Sequence, residues 1–426
     1  MKILSIIAQK PSSTGSGVYL SELVRCFKEM GHEQEIICAS YENDIIGTNS
    51  EDVGNKFYTP TYNKIIFNTK SLPIKIAGMS DVMPYESMRY SELASDEKKL
   101  SLWMDAFDKK VREVVERFKP DLIICHHLYL LTSMVVSIVN ENEIKSLKPT
   151  KTRIYGICHN TDLRQYQQTD LKRDFIKENI VKLDKLFFPS EEHAEKAIEL
   201  YGLERKKVEI IGIGYNNKIF KNNREEWHAS LLPTNEGSRS FTSTRKLLYV
   251  GKVAKKKGVL SLVKAINILN DKNIVLDIIG GAGDKEEYEE ILAESKKSVS
   301  KISFIMPMTQ DKLAIEYNKH DIFILPSFSE GIPMVPLEAL ACGCKIVISD
   351  LPGVKNFYNE NVKCASIKYV ELPKLTNVDD ASSDELVSFE KRLAKAIKES
   401  IDDKNIYKPD LTNISWDNIA KRICSP

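Results

Sequence analysis

The chain has 426 residues, of which 42% are hydrophobic, and this length is enough for two domains with separate cores. Its 61 basic and 60 acidic residues nearly cancel, so the overall charge gives no electrostatic argument for a nucleic-acid partner.

Neither secretion nor membrane insertion is predicted. The chain opens directly into a strand-like segment, KILSIIA, without the pattern of a signal peptide, and its 8 cysteines form no CxxC pair. The longest largely apolar stretch, 128–139, is too short to span a bilayer. We therefore expect a cytoplasmic protein, with peripheral contact at the inner face of the membrane left open.

In the first half of the chain, short β-branched segments alternate with helical patterns, which predicts a doubly wound α/β unit. It begins with a strand over 2–8, followed by a helix whose apolar stripe ends at Gly31. Residues 41–100 have weaker periodicity and are predicted to be an insertion over the site. Further strands are predicted at 35–39, 121–125, 153–157, 185–189 and 208–211.

A second α/β series follows in the other half of the chain. The polar segment 216–245 interrupts the pattern and is the best candidate for a linker. After it the same alternation of strands and helices resumes, which predicts a second doubly wound unit. Its strands are predicted at 247–250, 274–280, 302–306, 322–326 and 345–349.

Gly15, Ser16 and Gly17 lie between the first predicted strand and its helix. Glycine amides there can approach a ligand without interference from a Cβ atom, as they do in phosphate-binding loops. A simple turn and helix start would give the same residues, so this pattern alone does not decide between a ligand loop and a turn.

Histidines follow two predicted strands of the first unit. His159 comes directly after the strand at 153–157, and His126 and His127 follow the strand at 121–125. If the strand before it is parallel to the rest, His159 faces the crevice where ligands bind. His126 and His127 fit acceptor contacts and structural roles equally well. No metal site is predicted, because ligand spacing and a second ligand cluster are both missing.

The first strand of the second unit is followed by the loop GKVAKKKG, residues 251–258. Lys252 and Lys257 in this loop can neutralise a diphosphate leaving group, which lowers the barrier to its departure. Exposure to solvent is the commoner fate of lysines, and we assign it to Lys255 and Lys256.

Residues 327–343 read SFSEGIPMVPLEALACG and place Glu330 and Glu338 on either side of a loop-to-helix junction. The apolar run before them predicts a buried strand, and 336–341 predicts a helix with proline in its first turn and Gly343 as its cap. Carboxylates can accept from sugar hydroxyls, and open N–H groups at a helix start favour phosphate. The alternative is an exposed loop charge and a carboxylate that complements the helix dipole.

This stretch resembles the E-x7-E motif of the retaining family 4 glycosyltransferases, and the continuation EALACGCKIVISDLPG is also similar to theirs. Other similar segments follow in the family's order along nearly the whole chain. They are TGSGVYLSEL (14–23), GH (31–32), HN (159–160), SEEHAEKAIELYGL (190–203), GYNNKIF (214–220) and LLYVGKVAKKKG (247–258).

The resemblance implies a GT-B architecture, with two Rossmann-like domains facing across a cleft. The first domain, 1–218, would hold the acceptor and would be joined by a C-terminal helix at about 412–426. The second domain, 219–411, would bind the nucleotide-diphosphate sugar. The implied reaction is a retaining sugar transfer that needs neither a divalent metal nor a cofactor. The acceptor stays open among a glycan, a lipid and a small molecule.

The resemblance also implies roles for single residues. Glu338 would hydrogen-bond the nucleotide ribose, while Glu330 and His159 would contact the transferred sugar. Lys252 and Lys257 would neutralise the diphosphate in place of a metal, although the family usually has arginine where this chain has Lys252. His159, Glu330, Lys257 and Lys252 are therefore the candidate catalytic residues. The remaining candidate donor contacts are Gly15, Ser16, Gly17, Met306, Gly331, Ile332, Met334 and Val335.

Other functions stay open at the level of the sequence. A nucleotide-sugar 2-epimerase can share the two-domain architecture, and a catalytically silent sugar-nucleotide-binding protein would keep the same binding residues. An NAD-dependent oxidoreductase is disfavoured, because GGAGDKEEYEE at 280–290 is not a dinucleotide fingerprint and its acidic partner is missing.

Overall fold

A computed structural model of the protein describes residues 1–11, 14–44, 46, 59–79, 87–140, 152–224, 244–374 and 381–425. The chain forms two compact units. Unit 1 contains Met1–Ile213 and Trp416–Pro426, and unit 2 contains Gly214–Ser415. The unit boundaries thus fall after Ile213 and Ser415. The domain boundaries predicted from the sequence were after 218 and 411.

Unit 1 is built on a parallel sheet of seven strands. The strands described in this unit are β1 (Lys2–Ile7), β2 (Glu33–Ser40), β3 (Thr61–Ile66), β4 (Ile76–Gly78), β5 (Ser87–Arg89), β6 (Leu122–His126), β7 (Arg153–Ile157), β8 (Lys185–Phe188) and β9 (Val208–Ile210). The sheet order is β3-β2-β1-β6-β7-β8-β9, and β4 pairs with β5 separately. The progression of strands therefore reverses between β1 and β6, as in a doubly wound fold.

Helices connect these strands and bury their apolar stripes. They are α1 (Gly15–Glu29), α2 (Tyr90–Ala94), α3 (Glu97–Phe118), α4 (Leu130–Asn140), α5 (Thr161–Gln168), α6 (Arg173–Ile180) and α7 (Glu191–Tyr201). In α3, Asp96 caps the start by accepting from the Lys99 N–H at 3.1 Å. Its residues Leu100, Trp103 and Phe107 follow helical spacing and are buried, so this long helix packs one face on the core.

Unit 2 has a parallel sheet of six strands. Its elements are β10 (Arg245–Val250), α8 (Val259–Leu269), β11 (Ile274–Ile279), α9 (Lys285–Ser295), β12 (Lys301–Ile305), α10 (Gln310–Lys319), β13 (Ile322–Leu325), α11 (Val335–Ala341), β14 (Lys345–Ser349), α12 (Val354–Asn361), β15 (Ile367–Val370) and α13 (Ser383–Asp402). The sheet order is β12-β11-β10-β13-β14-β15. Here the progression reverses between β10 and β13, so unit 2 is doubly wound as well.

The predicted α/β fold class with parallel sheets is confirmed, but four strands were missed, namely the short pair β4 and β5 and one edge strand of each main sheet. β3 lies inside 41–100 and pairs with β2 as an edge strand, so that segment is not simply an insertion. β15 likewise closes the edge of the second sheet. Edge strands keep one side open, and both have mostly partly exposed residues, so they lack the continuous apolar runs that reveal central strands.

The expected linker, 216–245, is only partly described, because 225–243 lies outside the described residues. Its first part packs within unit 2. The Asn223 N–H donates to Asn318 Oδ1 at 2.8 Å, and Arg224 Nε donates to the Cys342 carbonyl at 2.9 Å. Residues 221–224 are therefore anchored to this unit by specific hydrogen bonds.

The last helix, α14 (Trp416–Cys424), packs within unit 1 against α1. Trp416 is buried, and its ring lies 4.6 Å from that of Tyr19 in an edge-on arrangement. Ile419 and Ile423 are buried on the same face of the helix. The end of the chain thus completes the core of its first unit. In the described part of the chain, no helix is both long and apolar enough to cross a bilayer.

Candidate functional site

Most of the candidate residues lie at or beside the reversal point of each sheet. In unit 2, the loop with Lys252 and Lys257 follows β10, and the loop with Glu330 follows β13, which is hydrogen-bonded to β10. In unit 1, α1 follows β1, and His126 ends the neighbouring strand β6. Ligands of doubly wound sheets bind at this point, outside the carboxyl ends of the strands.

An ion pair connects the two loops of unit 2. Lys257 Nζ lies 2.7 Å from Glu330 Oε1, and each side chain is 21% exposed. The loops also meet through the backbone, since the Phe328 N–H donates to the Lys256 carbonyl at 3.2 Å. The structure therefore brings together two side chains that are 73 residues apart in the sequence.

Lys252 adds a second positive charge to this place. Burial, reinforced by the charge of Lys257, lowers the pKa of Lys252 to about 8. The positive charge of Lys257 thus disfavours the charged form of Lys252, and a bound anion would stabilise that form. By contrast, Lys255 lies outside this group and forms an ion pair with Glu290 at 2.6 Å.

Glu338 lies in the first turn of α11 and is only 6% exposed. The buried Tyr317 hydroxyl on α10 donates to its Oε2 at 3.2 Å. A buried carboxylate is stable only where hydrogen bonds compensate its lost hydration. Tyr317, which the sequence reasoning missed, is therefore part of the site. Its position one helix before the motif carried no local signal.

The backbone of the loop before α11 has N–H groups that can donate hydrogen bonds to a ligand. Among the described residues, the N–H groups of Gly331, Ile332, Met334 and Val335 make no backbone or side-chain hydrogen bond. Met306, another predicted donor contact, is 76% exposed and follows β12, which is separated from β10 by β11. Met306 thus follows the outermost strand of this sheet, three strands from β13.

A glycine turn after β11 supports the lysine loop. The Val253 N–H donates to the Gly281 carbonyl at 2.9 Å. A Cβ atom on Gly280 would lie 1.7 Å from the Gly251 carbonyl oxygen, so only glycine fits there. The glycine turn therefore holds the loop that carries Lys252.

In unit 1, Gly15, Ser16 and Gly17 form the first turn of α1. Thr14 caps this helix, and its Oγ1 accepts from the Gly17 N–H at 3.1 Å. The Ser16 hydroxyl donates to Gln9 Oε1 at 3.1 Å. Capping thus engages part of this turn, so the structure favours the simple helix start for the Gly17 amide.

His126, His127 and His159 lie side by side, and we call them the histidine cluster. His126 Nδ1 lies 3.0 Å from His159 Nε2, and the two rings are stacked at an interplanar angle of 11°. The His127 ring centroid is 4.7 Å from that of His159, and Tyr19 packs edge-on to His159 at 5.2 Å. Burial lowers the pKa of all three histidines, that of His159 to about 3, so they are neutral at pH 7.

Asp162 holds the two loops of the histidine cluster together, and the sequence reasoning missed it. Its buried carboxylate accepts from the Leu128 N–H at 2.7 Å and from the His159 N–H at 3.2 Å. His127 and Asn160 adopt left-handed backbone conformations, with φ of 72° and 67°. Such conformations cost free energy outside glycine, and they persist at sites where surrounding contacts enforce them.

Comparison with known proteins identifies the family. The model of glycosyl transferases group 1 matches residues 234–383, and that of glycosyltransferase family 4 matches 91–217. The chain belongs to the family 4 glycosyltransferases. Each match falls largely within one unit, so both halves of the chain carry family features.

Curated relatives match part of the chain. An uncharacterized glycosyltransferase of Methanocaldococcus jannaschii is 26% identical over 232 residues, which is 53% of this chain and 55% of that protein. This match thus spans about half the length of the curated relative.

Solved structures show the fold. Sucrose-phosphate synthase from Thermosynechococcus elongatus has a TM-score of 0.64 at 16% identity, covering 99% of this chain and 97% of that one. HepE from Anabaena in complex with UDP has a TM-score of 0.61 at 12% identity, covering 99% and 94%. The expected GT-B fold class is thereby confirmed.

Proposed function

We propose that the protein is a retaining, metal-independent glycosyltransferase that moves a sugar from a nucleotide-diphosphate sugar to an acceptor hydroxyl. The observation that carries this proposal is the arrangement at the reversal point of unit 2. There two lysine ammonium groups, an ion-paired glutamate and open backbone N–H groups converge. The ammonium groups can neutralise a diphosphate, and the carboxylates can accept hydrogen bonds from sugar hydroxyls.

The lysines act on the leaving group. Negative charge on the diphosphate grows as the glycosidic bond breaks, so cations placed there stabilise the transition state more than the bound donor. Lys257 would exchange part of its contact with Glu330 for the diphosphate. Lys252 would regain its full charge beside that anion. The two side chains together supply the positive charge that a divalent ion supplies in other enzymes.

The glutamates act on the rest of the donor. Glu330, at the tip of the loop after β13, would accept from hydroxyls of the transferred sugar, and Glu338 would accept from the ribose. Charge-assisted hydrogen bonds of this kind are stronger than neutral ones. HepE, a structural neighbour, was solved with UDP, which makes uridine diphosphate sugars the first donors to test.

The acceptor would be held by unit 1, where His159 would contact the transferred sugar. Retention of configuration follows if the acceptor hydroxyl attacks the face from which the diphosphate leaves. In that step the glycosidic bond to the diphosphate breaks, the bond to the acceptor oxygen forms, and the hydroxyl proton passes to a diphosphate oxygen. This step needs no covalent intermediate on the enzyme, and none is invoked.

A donor panel followed by product analysis tests the proposal. UDP-, GDP- and ADP-sugars would be screened by thermal shift, and the best donor would be incubated with candidate acceptors in excess EDTA. We expect sugar transfer or slow donor hydrolysis that survives EDTA, with the anomeric configuration retained by NMR.

Controls separate this function from related ones. Lys257→Ala should abolish most turnover, whereas Lys285→Ala, which removes a largely exposed lysine of the same unit, should not. Isomerisation of the donor would identify an epimerase, and donor binding without any turnover would identify a silent binding protein. Loss of transfer in EDTA with recovery in Mn²⁺ would contradict metal independence.

A further inference from the structure

The hydrogen bond between His126 and His159 constrains the protons of both rings. Each ring is neutral, so each carries one N–H and one bare nitrogen. His126 Nδ1 and His159 Nε2 lie 3.0 Å apart, and one proton lies between them. The tautomers of the two residues are therefore coupled, since the donor nitrogen on one ring fixes the acceptor nitrogen on the other.

Two arrangements satisfy this hydrogen bond. In the first, His126 Nδ1–H donates, His126 Nε2 is bare, and His159 carries its proton on Nδ1. In the second, His159 Nε2–H donates, and the proton of His126 moves to its own Nε2. His126 is only 2% exposed, and its Nε2 has no hydrogen-bond partner among the described residues.

Burial decides between the arrangements. The second would leave an N–H group buried without an acceptor, and such orphaned donors are rare in folded proteins. The first leaves only a bare nitrogen, which is tolerated better. Since the alternatives are otherwise alike, the first arrangement is the more stable one, and His159 keeps its proton on Nδ1.

We propose that His126 is a positioning residue that fixes the tautomer of His159, so that His159 presents Nδ1–H to an oxygen of the bound ligand. His159 is partly exposed, and within the described residues its Nδ1 makes no hydrogen bond. That nitrogen is the one left for a ligand. If the proposed function holds, the ligand oxygen belongs to a sugar hydroxyl.

Neighbouring residues hold the rings of His126 and His159 in position. Asp162 accepts a hydrogen bond from the backbone N–H of His159, which fixes the position of the His159 backbone. The rings of Tyr19 and His127 pack against His159 and limit its rotation. A water molecule cannot easily replace His126 in such a site, because the ring stacking leaves His126 nearly inaccessible.

Nitrogen NMR of the free protein tests the tautomer directly. The chain has only 7 histidines, so ring-¹⁵N-labelled histidine gives a resolvable spectrum, and a His159→Gln variant assigns the signals of His159. We expect its Nδ1 to resonate as a protonated, pyrrole-type nitrogen and its Nε2 as a bare, pyridine-type nitrogen. The reverse pattern would overturn the proposal. This readout needs no ligand.

Two substitutions of His126 then separate positioning from packing. Asparagine places an amide N–H close to where Nδ1–H was, whereas phenylalanine keeps the ring volume but cannot donate. We expect His126→Asn to keep His159 in the Nδ1–H form and His126→Phe to allow both tautomers. With the best donor, His126→Phe should lower kcat about tenfold more than His126→Asn. A packing role predicts the opposite order, and that outcome would refute the proposal.

His32 provides the matched control, because it lies outside the histidine cluster, near the chain terminus. His32→Asn and His32→Phe should leave the tautomer of His159 unchanged. Different results would contradict the proposed function and the tautomer assignment. A protonated Nδ1 in a protein that turns over no donor would sink the proposed function and leave the tautomer assignment intact. A bare Nδ1 in an active transferase would do the reverse.

Discussion

Lys252 illustrates how burial sets the chemistry of a single side chain. Its pKa is lowered to about 8 by burial and by Lys257, so the ammonium loses its proton as the pH rises through that value. We expect kcat/KM for the donor to fall above about pH 8, because diphosphate binding requires the charged form. Lys252→Arg should remove this fall, since a guanidinium stays protonated. The test is to measure kcat/KM against pH for the wild type and for Lys252→Arg. A wild-type value that does not fall above about pH 8 would refute the prediction.

The two lysines should contribute unequally to turnover. Lys257 matches a lysine of the family and ends the loop just before Gly258 and α8, whereas Lys252 replaces a guanidinium. We expect Lys257→Ala to lower kcat by roughly 10² or more, because its contact strengthens as diphosphate charge develops. Lys252→Ala should reduce kcat less. Steady-state kinetics of both variants decide this, and a more damaging loss at Lys252 would show that the contacts are assigned to the wrong lysine.

Tyr317 should matter for donor binding without reacting itself. Its hydroxyl donates to the buried carboxylate of Glu338, so Tyr317→Phe leaves that carboxylate with one hydrogen bond fewer. We expect donor affinity to fall by about 1 kcal/mol, roughly fivefold, with little change in kcat at saturation. Calorimetric titration with the best donor measures the effect. As a control, Tyr369→Phe removes a buried hydroxyl of the same unit that has no hydrogen-bond partner among the described residues, and it should leave affinity unchanged.

The sequence located some site residues and missed others for a physical reason. Glu330 and Glu338 share one short motif, and Lys257 ends a glycine-flanked loop, so their local patterns are informative. Tyr317 and Asp162 act through contacts made by folding, and nothing beside them in the sequence indicates a partner. That Lys257 and Glu330 form an ion pair is likewise a property of the fold alone.

At the scale of elements, buried central strands were predictable and edge strands were not. β6 and β13 read as uninterrupted apolar runs because helices cover both faces of a doubly wound sheet. β3 and β15 lie at sheet edges, where partly exposed residues obscure the pattern. The order of strands, and with it the reversal point that gathers the site, depends on long-range pairing that periodicity does not specify.

The glycine turn after β11 gives a prediction about how elements support the site. A Cβ at Gly280 would meet the Gly251 carbonyl oxygen at 1.7 Å, so Gly280→Ala must push the lysine loop away from β11. We expect a loss of roughly 1 to 3 kcal/mol in unfolding free energy, together with weaker donor binding. The matched control is Gly281→Ala, whose Cβ would only touch Pro307 Cγ at 3.7 Å. Equal stability and affinity in the two variants would refute this role of Gly280.

At the scale of the whole molecule, the end of the chain returns to its beginning. Trp416 packs on Tyr19 of α1, and Tyr19 in turn packs edge-on to His159. Helix α14 therefore supports both the core of unit 1 and the ring beside the candidate catalytic histidine. Unit 2, which holds the lysines and glutamates proposed to bind the donor, is built from a continuous stretch of chain, Gly214–Ser415, and has its own sheet.

This division predicts that Trp416→Ala separates stability and transfer from donor binding. Removing a buried tryptophan should cost unit 1 about 3 to 5 kcal/mol, because the cavity left beside Tyr19 cannot fully close. Hydrogen exchange should then accelerate across 1–213 but not across 244–374, and transfer should fall because the Tyr19 contact to His159 loosens. The donor dissociation constant should change less than transfer does, since the lysines and glutamates proposed to bind the diphosphate and the ribose lie in unit 2. Ile406→Ala, at a 91% exposed position of unit 2, is the control and should alter none of these. If Trp416→Ala weakened donor binding as much as transfer, or if exchange rose equally in both units, the two units would not be energetically separate.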